Sequence, residues 1–107
     1  MPTTKHTDQQ TEMTLIGSLI LDPAKIPAVE SILEPSDFSD KRASVAFTAL
    51  IYLYDKDENI DENNLRRVLV TTNNWDGSIE NYLIESVKLV PHTQYAVEHA
   101  KSLRKLS

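Results

Sequence analysis

Ala43-Ser44-Val45-Ala46-Phe47-Thr48-Ala49-Leu50-Ile51-Tyr52-Leu53-Tyr54 is the stretch whose reading decides the fold. Only Ser44 and Thr48 are polar, and neither Gly nor Pro interrupts it, so its length favours a helix over a strand. Ala43, Phe47, Leu50 and Tyr54 form one stripe at helical spacing. Ala46, Leu50 and Leu53 form a second beside it, and Val45, Ala49 and Tyr52 a third. A helix apolar on nearly every face has to be covered on nearly every face. The stretch therefore predicts a central buried helix over about residues 40–55, wrapped by its neighbours. Ser39 is the predicted N-cap, a hydroxyl able to accept from a first-turn amide, and the acidic run Asp55 to Asp57 ends the helix.

The flanking sequence supplies five further helices. Thr7 and Gln10 have the spacing of a capping box, with Asp8 as a competing cap. Met13, Ile16, Leu19 and Ile20 then make a stripe that ends at Leu21-Asp22-Pro23. Gly17 inside it costs about 1 kcal/mol of helix propensity relative to Ala, which points to a close crossing by a neighbouring helix. After a turn at Asp22 to Lys25, a second helix runs from Ile26 or Pro27 to Leu33 and buries Val29, Ile32 and Leu33. Glu34-Pro35 closes it, because the residue before Pro is pushed out of the right-handed helical region, and Phe38 plugs the core. Asp61 caps a fourth helix, with Ile60 and Leu65 in the places of a hydrophobic staple. Its Leu65, Val68 and Leu69 point inward while Arg66 and Arg67 stay in solvent.

Thr71 to Gly77 is a loop carrying the only tryptophan, Trp75. Ser78 to Leu89 is the fifth helix, with Ile79, Tyr82, Leu83 and Val87 on one face, and Val90-Pro91 ends it. Thr93 to Leu106 is the sixth. Ala96, His99, Ala100, Leu103 and Leu106 share one stripe of it, and Lys101, Arg104 and Lys105 in its final turns suit the helix dipole. The predicted fold is all-α, a compact six-helix domain with Leu19, Phe38, Phe47, Leu50, Leu65 and Leu83 in its core.

Composition narrows the function by exclusion. The 107 residues suffice for one domain with a single core, and hydrophobic and charged contents of 40% and 25% are ordinary for a globular chain. Without cysteine there is neither a disulfide frame nor thiolate chemistry. The apolar run Leu15 to Leu21 is broken by Gly17 and Ser18 and is too short for a membrane span. The net charge of −5 argues against a duplex-binding module, which needs clustered Lys and Arg. An ATPase needs a Gly-rich phosphate loop followed by Lys and Ser or Thr. The two glycines, Gly17 and Gly77, lie far apart and neither precedes a lysine.

His6, His92 and His99 do not fall at metal-ligand spacing with other candidate ligands. The acidic stretch Asp55, Asp57, Glu58, Asp61 and Glu62 lacks the loop glycine of a calcium site, and Arg66 stands where its closing Glu would be. It reads as a solvated loop. No catalytic, cofactor-binding or metal residue is assigned.

Thr11-Glu12-Met13-Thr14-Leu15-Ile16-Gly17-Ser18-Leu19-Ile20-Leu21-Asp22 resembles the opening signature of DnaB-type replicative helicases, in which an acidic, Gln-rich helix runs into Leu-Gly-Ser-Leu-Leu-Leu-Asp. The resemblance continues through Ile32-Leu33-Glu34-Pro35-Ser36-Asp37-Phe38, Phe47-Thr48-Ala49-Leu50, Ile60-Asp61, Tyr82-Leu83 and Val90-Pro91, in the family's order. Departures lie at Lys41 and Ala43, where the family often has Pro and His, and at the single Gly77 in place of Gly-Gly. The resemblance implies an N-terminal domain that assembles into a collar above an ATPase ring, pairs helicase protomers, and receives primase or a helicase loader in the cytoplasm of a bacterial or phage-infected cell. ATP and Mg would belong to a motor domain outside this chain.

On that reading residues 1–6 are a flexible arm, residues 7–107 the domain, and the last helix, 93–106, the start of a truncated helical hairpin. The chain is then either part of a longer helicase or a free-standing phage or mobile-element adaptor that binds a helicase, loader or primase. Tyr82, Val87, Tyr95, His99, Leu103 and Leu106 are the candidate interface. The sixth helix reads as carrying more apolar surface than one docked stripe needs, through Tyr95, Val97, Leu103 and Leu106. The expectation in isolation is a monomer or weak homodimer, with Leu103→Asp abolishing the dimer but not the fold.

The sequence predicts no ATPase activity and no tight DNA binding. Salt-sensitive, sub-micromolar binding to a random duplex at physiological salt would contradict it.

Overall fold

Leu15, Ile16, Gly17, Ser18 and Leu19 are all buried, so the first helix is enclosed on every side at its middle, a helical turn taking only about 3.6 residues. The computed structural model of the chain describes residues 9–90 and 92–106. Residues 1–8, Pro91 and Ser107 lie outside the described part, and with them the expected arm, the Thr7 and Asp8 caps and the terminating proline. The described elements are α1 (Gln9–Leu21), α2 (Ile26–Glu30), α3 (Lys41–Asp55), α4 (Glu62–Thr71), α5 (Gly77–Leu89) and α6 (Ala96–Leu106). One-turn 3₁₀ segments, Pro23–Lys25 and Pro35–Asp37, flank α2. The molecule measures 41 × 27 × 23 Å, and among the described residues there is no strand.

The starts of α2 to α5 have local causes. Pro27 occupies the second position of α2, where its missing N–H would have had no partner in any case. Asp61 accepts from the Asn64 amide at 2.8 Å and starts α4; Asp76 accepts from the Ile79 amide at 2.9 Å and starts α5. The cap of α3 is Asp40 rather than Ser39, its Oδ1 accepting from the Arg42 amide at 2.9 Å. Helix ends are equally specific. Asp57 and Asn73 take φ values of 59° and 65° just beyond α3 and α4. The amides after them reach back to the Leu53 and Leu69 carbonyls at 3.0 and 2.7 Å. These are left-handed caps of the kind glycine usually supplies, made by residue types that tolerate that region.

Two boundaries differ from the sequence reading. α2 stops at Glu30, not Leu33, because Ser31 Oγ bonds back to the Ala28 carbonyl at 2.7 Å and the chain tightens, with the Ile32 and Leu33 amides both on Val29. Leu33 is nevertheless buried. α6 begins at Ala96, after a turn in which the Ala96 amide bonds the Thr93 carbonyl.

α3 buries Ala43, Ala46, Phe47, Ala49, Leu50 and Leu53 against α1, α2, α4, α5 and the Pro35–Asp37 turn. Its covering is not all-round, since Tyr52 is 47% and Tyr54 39% exposed. Tyrosine tolerates this because its ring can pack while its hydroxyl stays wet. The helix covered on every side is α1, which lies against α3, α5 and α6. Phe38 closes the core beside α3, its ring tilted at 52° to that of Phe47 with centroids 5.2 Å apart. Leu19, Leu50 and Leu65 are buried with them, whereas Leu83 is only half-buried, at the rim.

Gly17 is where α1 and α5 meet. A Cβ built on it would stand 2.1 Å from the Ser86 carbonyl oxygen and 2.7 Å from Val90 Cγ2, so backbone touches backbone. Ser86 keeps its side chain out of the way by donating to the Tyr82 carbonyl at 2.7 Å, and Ser18 does the same to Thr14 at 2.9 Å.

Phe47→Ala should cost about 3–5 kcal/mol, because a fully buried aromatic is removed. Gly17→Ala should also destabilise, the collision outweighing a gain of about 1 kcal/mol in helix propensity. Thermal or urea unfolding checks both. A Gly17→Ala protein as stable as the parent would show that α1 and α5 are not in contact.

Candidate interaction surface

Glu12 is the polar residue that the fold treats most unusually. It lies on the buried stripe of α1 with Leu15, Ile16 and Leu19, and is 2% exposed. Its Oε2 accepts from the Ser39 amide at 2.9 Å and the Ser39 hydroxyl at 2.7 Å, and its Oε1 from the Asp40 amide at 3.1 Å. Ser39, the predicted cap, is therefore occupied in holding α1 to the start of α3. Asp40 in turn binds Arg42 through both oxygens, from Nε at 3.0 Å and from Nη2 at 2.7 Å. The Arg42 guanidinium lies 4.7 Å from the centre of the Tyr82 ring on α5. Chiefly through its side-chain bonds, Arg42 holds the Asp40 carboxyl below its ordinary value, and Asp40 raises Arg42 in return. With a lowered folded-state value, Asp40 stabilises the fold above the ordinary carboxylate range, and that contribution is lost as pH falls through it.

Tyr82 completes this arrangement from below. It is 2% exposed, and its hydroxyl is buried with no hydrogen-bond partner among the described residues. Burial pushes the phenol well above its ordinary value, and the negative charges of Asp40 and Glu12 add to the effect. The phenol is buried away from solvent and the Glu12 and Asp40 carboxylates beside it are already bonded. The cluster is a clamp between α1, α3 and α5. Among the described residues no three His, Asp or Glu side chains converge as a metal site, and no helix is long and apolar enough to cross a membrane.

The residues assigned to an interface from the sequence are distributed differently. Tyr82 and Leu103 belong to the core, both 2% exposed. Val87, His99 and Leu106 are half-buried. Tyr95 alone stands well out, its ring edge-on to His92 at 6.5 Å. Ala96, Ala100 and Leu103 dock α6 through one stripe against α1 and α2 while Leu106 packs on the core, so of the four residues read as surplus only Tyr95, just before the helix, and the half-buried Val97 stay at the surface. Leu103→Asp would consequently attack the fold itself. Arg104 adds a bond at 3.1 Å to Asp37 in the turn before α3.

Exposed apolar surface lies instead at the end of α1 and on the outer side of α5, with Leu21, Ile84 and Leu89 each more than a third exposed. A groove of about 320 Å³ runs there, lined by Ile20, Leu65, Leu83, Ile84 and Val87, with Glu62 and Lys88 at its edges. A separate groove of about 310 Å³ lies between α3 and α4. Leu83, read from the α5 stripe as core, proves half-buried at the rim of this groove. The signal for Glu12 was its place one turn before Ile16 on the apolar stripe of α1.

The fold defines an all-helical module with a clamped polar interior and apolar grooves between its helices. Its sequence matches the DnaB-like helicase N terminal domain family over residues 4–105, and the chain belongs to that family. Among solved structures it is similar to the N-terminal domain of DnaB helicase from Mycobacterium tuberculosis, with a TM-score of 0.87 and 22% identity over 95% of this chain and 72% of that one. It is also similar to the N-terminal domain of DnaB helicase from Helicobacter pylori, a structure described together with that domain's interactions with primase. There the TM-score is 0.73 and the identity 27%, over 91% of this chain and 78% of that one. No curated protein matches the chain by sequence.

Tyr82→Phe should leave stability unchanged or raise it by up to about 1 kcal/mol, since it removes an unpaired buried hydroxyl. Glu12→Ala should cost about 2–4 kcal/mol by stranding the Ser39 and Asp40 amides. Urea unfolding measures both, and a marked loss in Tyr82→Phe would mean that the hydroxyl has a partner.

Proposed function

We propose that this chain is a non-catalytic assembly and protein-interaction domain of a replicative helicase, pairing protomers and offering a surface to primase or a loader. Membership of the helicase N-terminal family supports it. The observation that carries it is the exposed apolar side of α5, with Ile84 at 41%, Leu89 at 38% and the groove beside them. The primase contact described for the Helicobacter pylori domain makes a primase one reasonable partner class. ATP hydrolysis and its Mg would be supplied by a motor domain, and the setting is the cytoplasm of a bacterial or phage-infected cell.

The groove edges carry one acid, Glu62, and one base, Lys88. Two copies related by a two-fold axis can set each acid against the other's base, as isologous pairing requires. Seven residues line the groove where a stable complex takes roughly 20–30 a side, so association of the isolated domain should be weak. Sedimentation at several concentrations should show a monomer–dimer exchange that Ile84→Asp abolishes while the helical spectrum is unchanged. A tight hexamer, or a dimer indifferent to Ile84→Asp, would remove α5 as the pairing surface.

A further inference from the structure

The outer side of α5 carries a charge pattern as well as apolar residues. Ile79, Tyr82 and Ser86 face inward and are buried, which turns Ile84 outward, 41% exposed. Glu80 and Lys88 stand four residues before it and four after, about 6 Å along the axis on either side at about 1.5 Å per residue. Positions four apart are neighbours on the helix surface, so acid, isoleucine and base follow one another in a single line. The third charged residue of α5, Glu85, comes next after Ile84 and points about 100° round the helix, off that line. The groove's other charge, Glu62, belongs to α4.

Both charges of the line are available. Glu80 makes no side-chain hydrogen bond or ion pair among the described residues. Lys88 lies 3.7 Å from Glu85, the two side chains being 68% and 56% exposed, and an exposed pair of this kind holds a side chain weakly.

We propose that α5 pairs antiparallel with α5 of a second copy, Ile84 on Ile84 at the two-fold axis and Glu80 of each copy against Lys88 of the other. The inference rests on protomer pairing through α5 and fixes its direction and register. A line of acid, apolar residue and base is complementary to itself only when one copy is reversed. Residues equally far on either side of Ile84 then come opposite, and both charges meet their opposites. Run parallel, the two-fold contact sets Glu80 on Glu80 and Lys88 on Lys88, two repulsive contacts. A slip of one helical turn in either direction sets Ile84 against Lys88 or Glu80 instead. Packed helices lie about 8–10 Å apart, a gap that a Glu and a Lys side chain bridge together. One exposed ion pair contributes little, but the two-fold axis makes each contact twice, so direction is decided while affinity stays low. The line selects a second copy of this chain over a helix with two acids or two bases at those places.

The test is sedimentation of the chain over a concentration series, with Glu80→Lys, Lys88→Glu, their equimolar mixture and Ile84→Asp beside the parent. Each variant is first shown to keep the parent's helical spectrum. Either charge variant alone should dimerise about tenfold more weakly, a loss of about 1.4 kcal/mol, because both of its cross-pairs become like-charged. Their mixture should return to the parent's affinity, because both cross-pairs are unlike again. Charge variants that pair as the parent does, with Ile84→Asp still abolishing the dimer, would leave the surface standing and overturn the antiparallel register. A mixture tighter than the parent would show the helices parallel, and weakened variants that do not recover on mixing would show that Glu80 and Lys88 do not meet; each overturns the proposal. A parent that stays monomeric, or a dimer indifferent to Ile84→Asp, would remove the pairing surface and this inference with it.

Discussion

The carboxylate of Glu12 accepting three hydrogen bonds from Ser39 and Asp40 is the contact on which the rest of the arrangement depends. A buried charge is costly unless it is fully bonded, and here both oxygens are used. In exchange, the chain entering α3 is fixed where its two amides and a hydroxyl would otherwise face a dry interior. With residues 39 and 40 held, Asp40 can cap α3 and grip Arg42, and Arg42 can lie over the Tyr82 ring. One carboxylate on α1 thus orients α3 directly and α5 through a cation and a ring. Apolar packing alone is non-directional and would not set these angles.

Packing supplies the rest of the attraction, and small residues determine how close it comes. Gly17 and Ser86 let α1 and α5 touch along their backbones. α6 completes the enclosure with Ala96, Ala100 and Leu103. Because the interior takes Tyr82 and Leu103 for itself, the surface left for association is the outer side of α5 with Leu21 and the groove between α3 and α4. These two surfaces differ in character. The first is lined by apolar residues with one charge of each sign, and the second by apolar residues and hydroxyls with Arg67, which is paired with Glu58.

Much of the fold was legible because it follows local rules. The apolar stripes located the helices. Asp61 showed the start of α4. Gly17 pointed to a close crossing, which the Ser86 contact explains. What escaped the sequence is what depends on partners distant in the chain. Ser39 and Asp40 are both good capping residues, and the choice between them is made by Glu12, remote in sequence. Tyr82 and Leu103 looked like surface candidates because a stripe of five or six apolar positions does not say which of them faces inward. The groove between α3 and α4 combines residues from two helices and a loop, so no contiguous motif announces it. Asp57 and Asn73 in left-handed caps carry no glycine signal at all.

The Gly17–Ser86 contact also bears on how the chain is made. α1 emerges from the ribosome well before its partner on α5, which follows roughly seventy residues later, several seconds at ordinary elongation rates. During that interval Leu15, Ile16 and Leu19 have no lid from α5 or α6. A nascent chain of this design cannot acquire its fold stepwise from the N-terminus. It has to wait, with its most apolar helix uncovered, for α5 and α6 to arrive, and that interval is when a chaperone's hold would matter most.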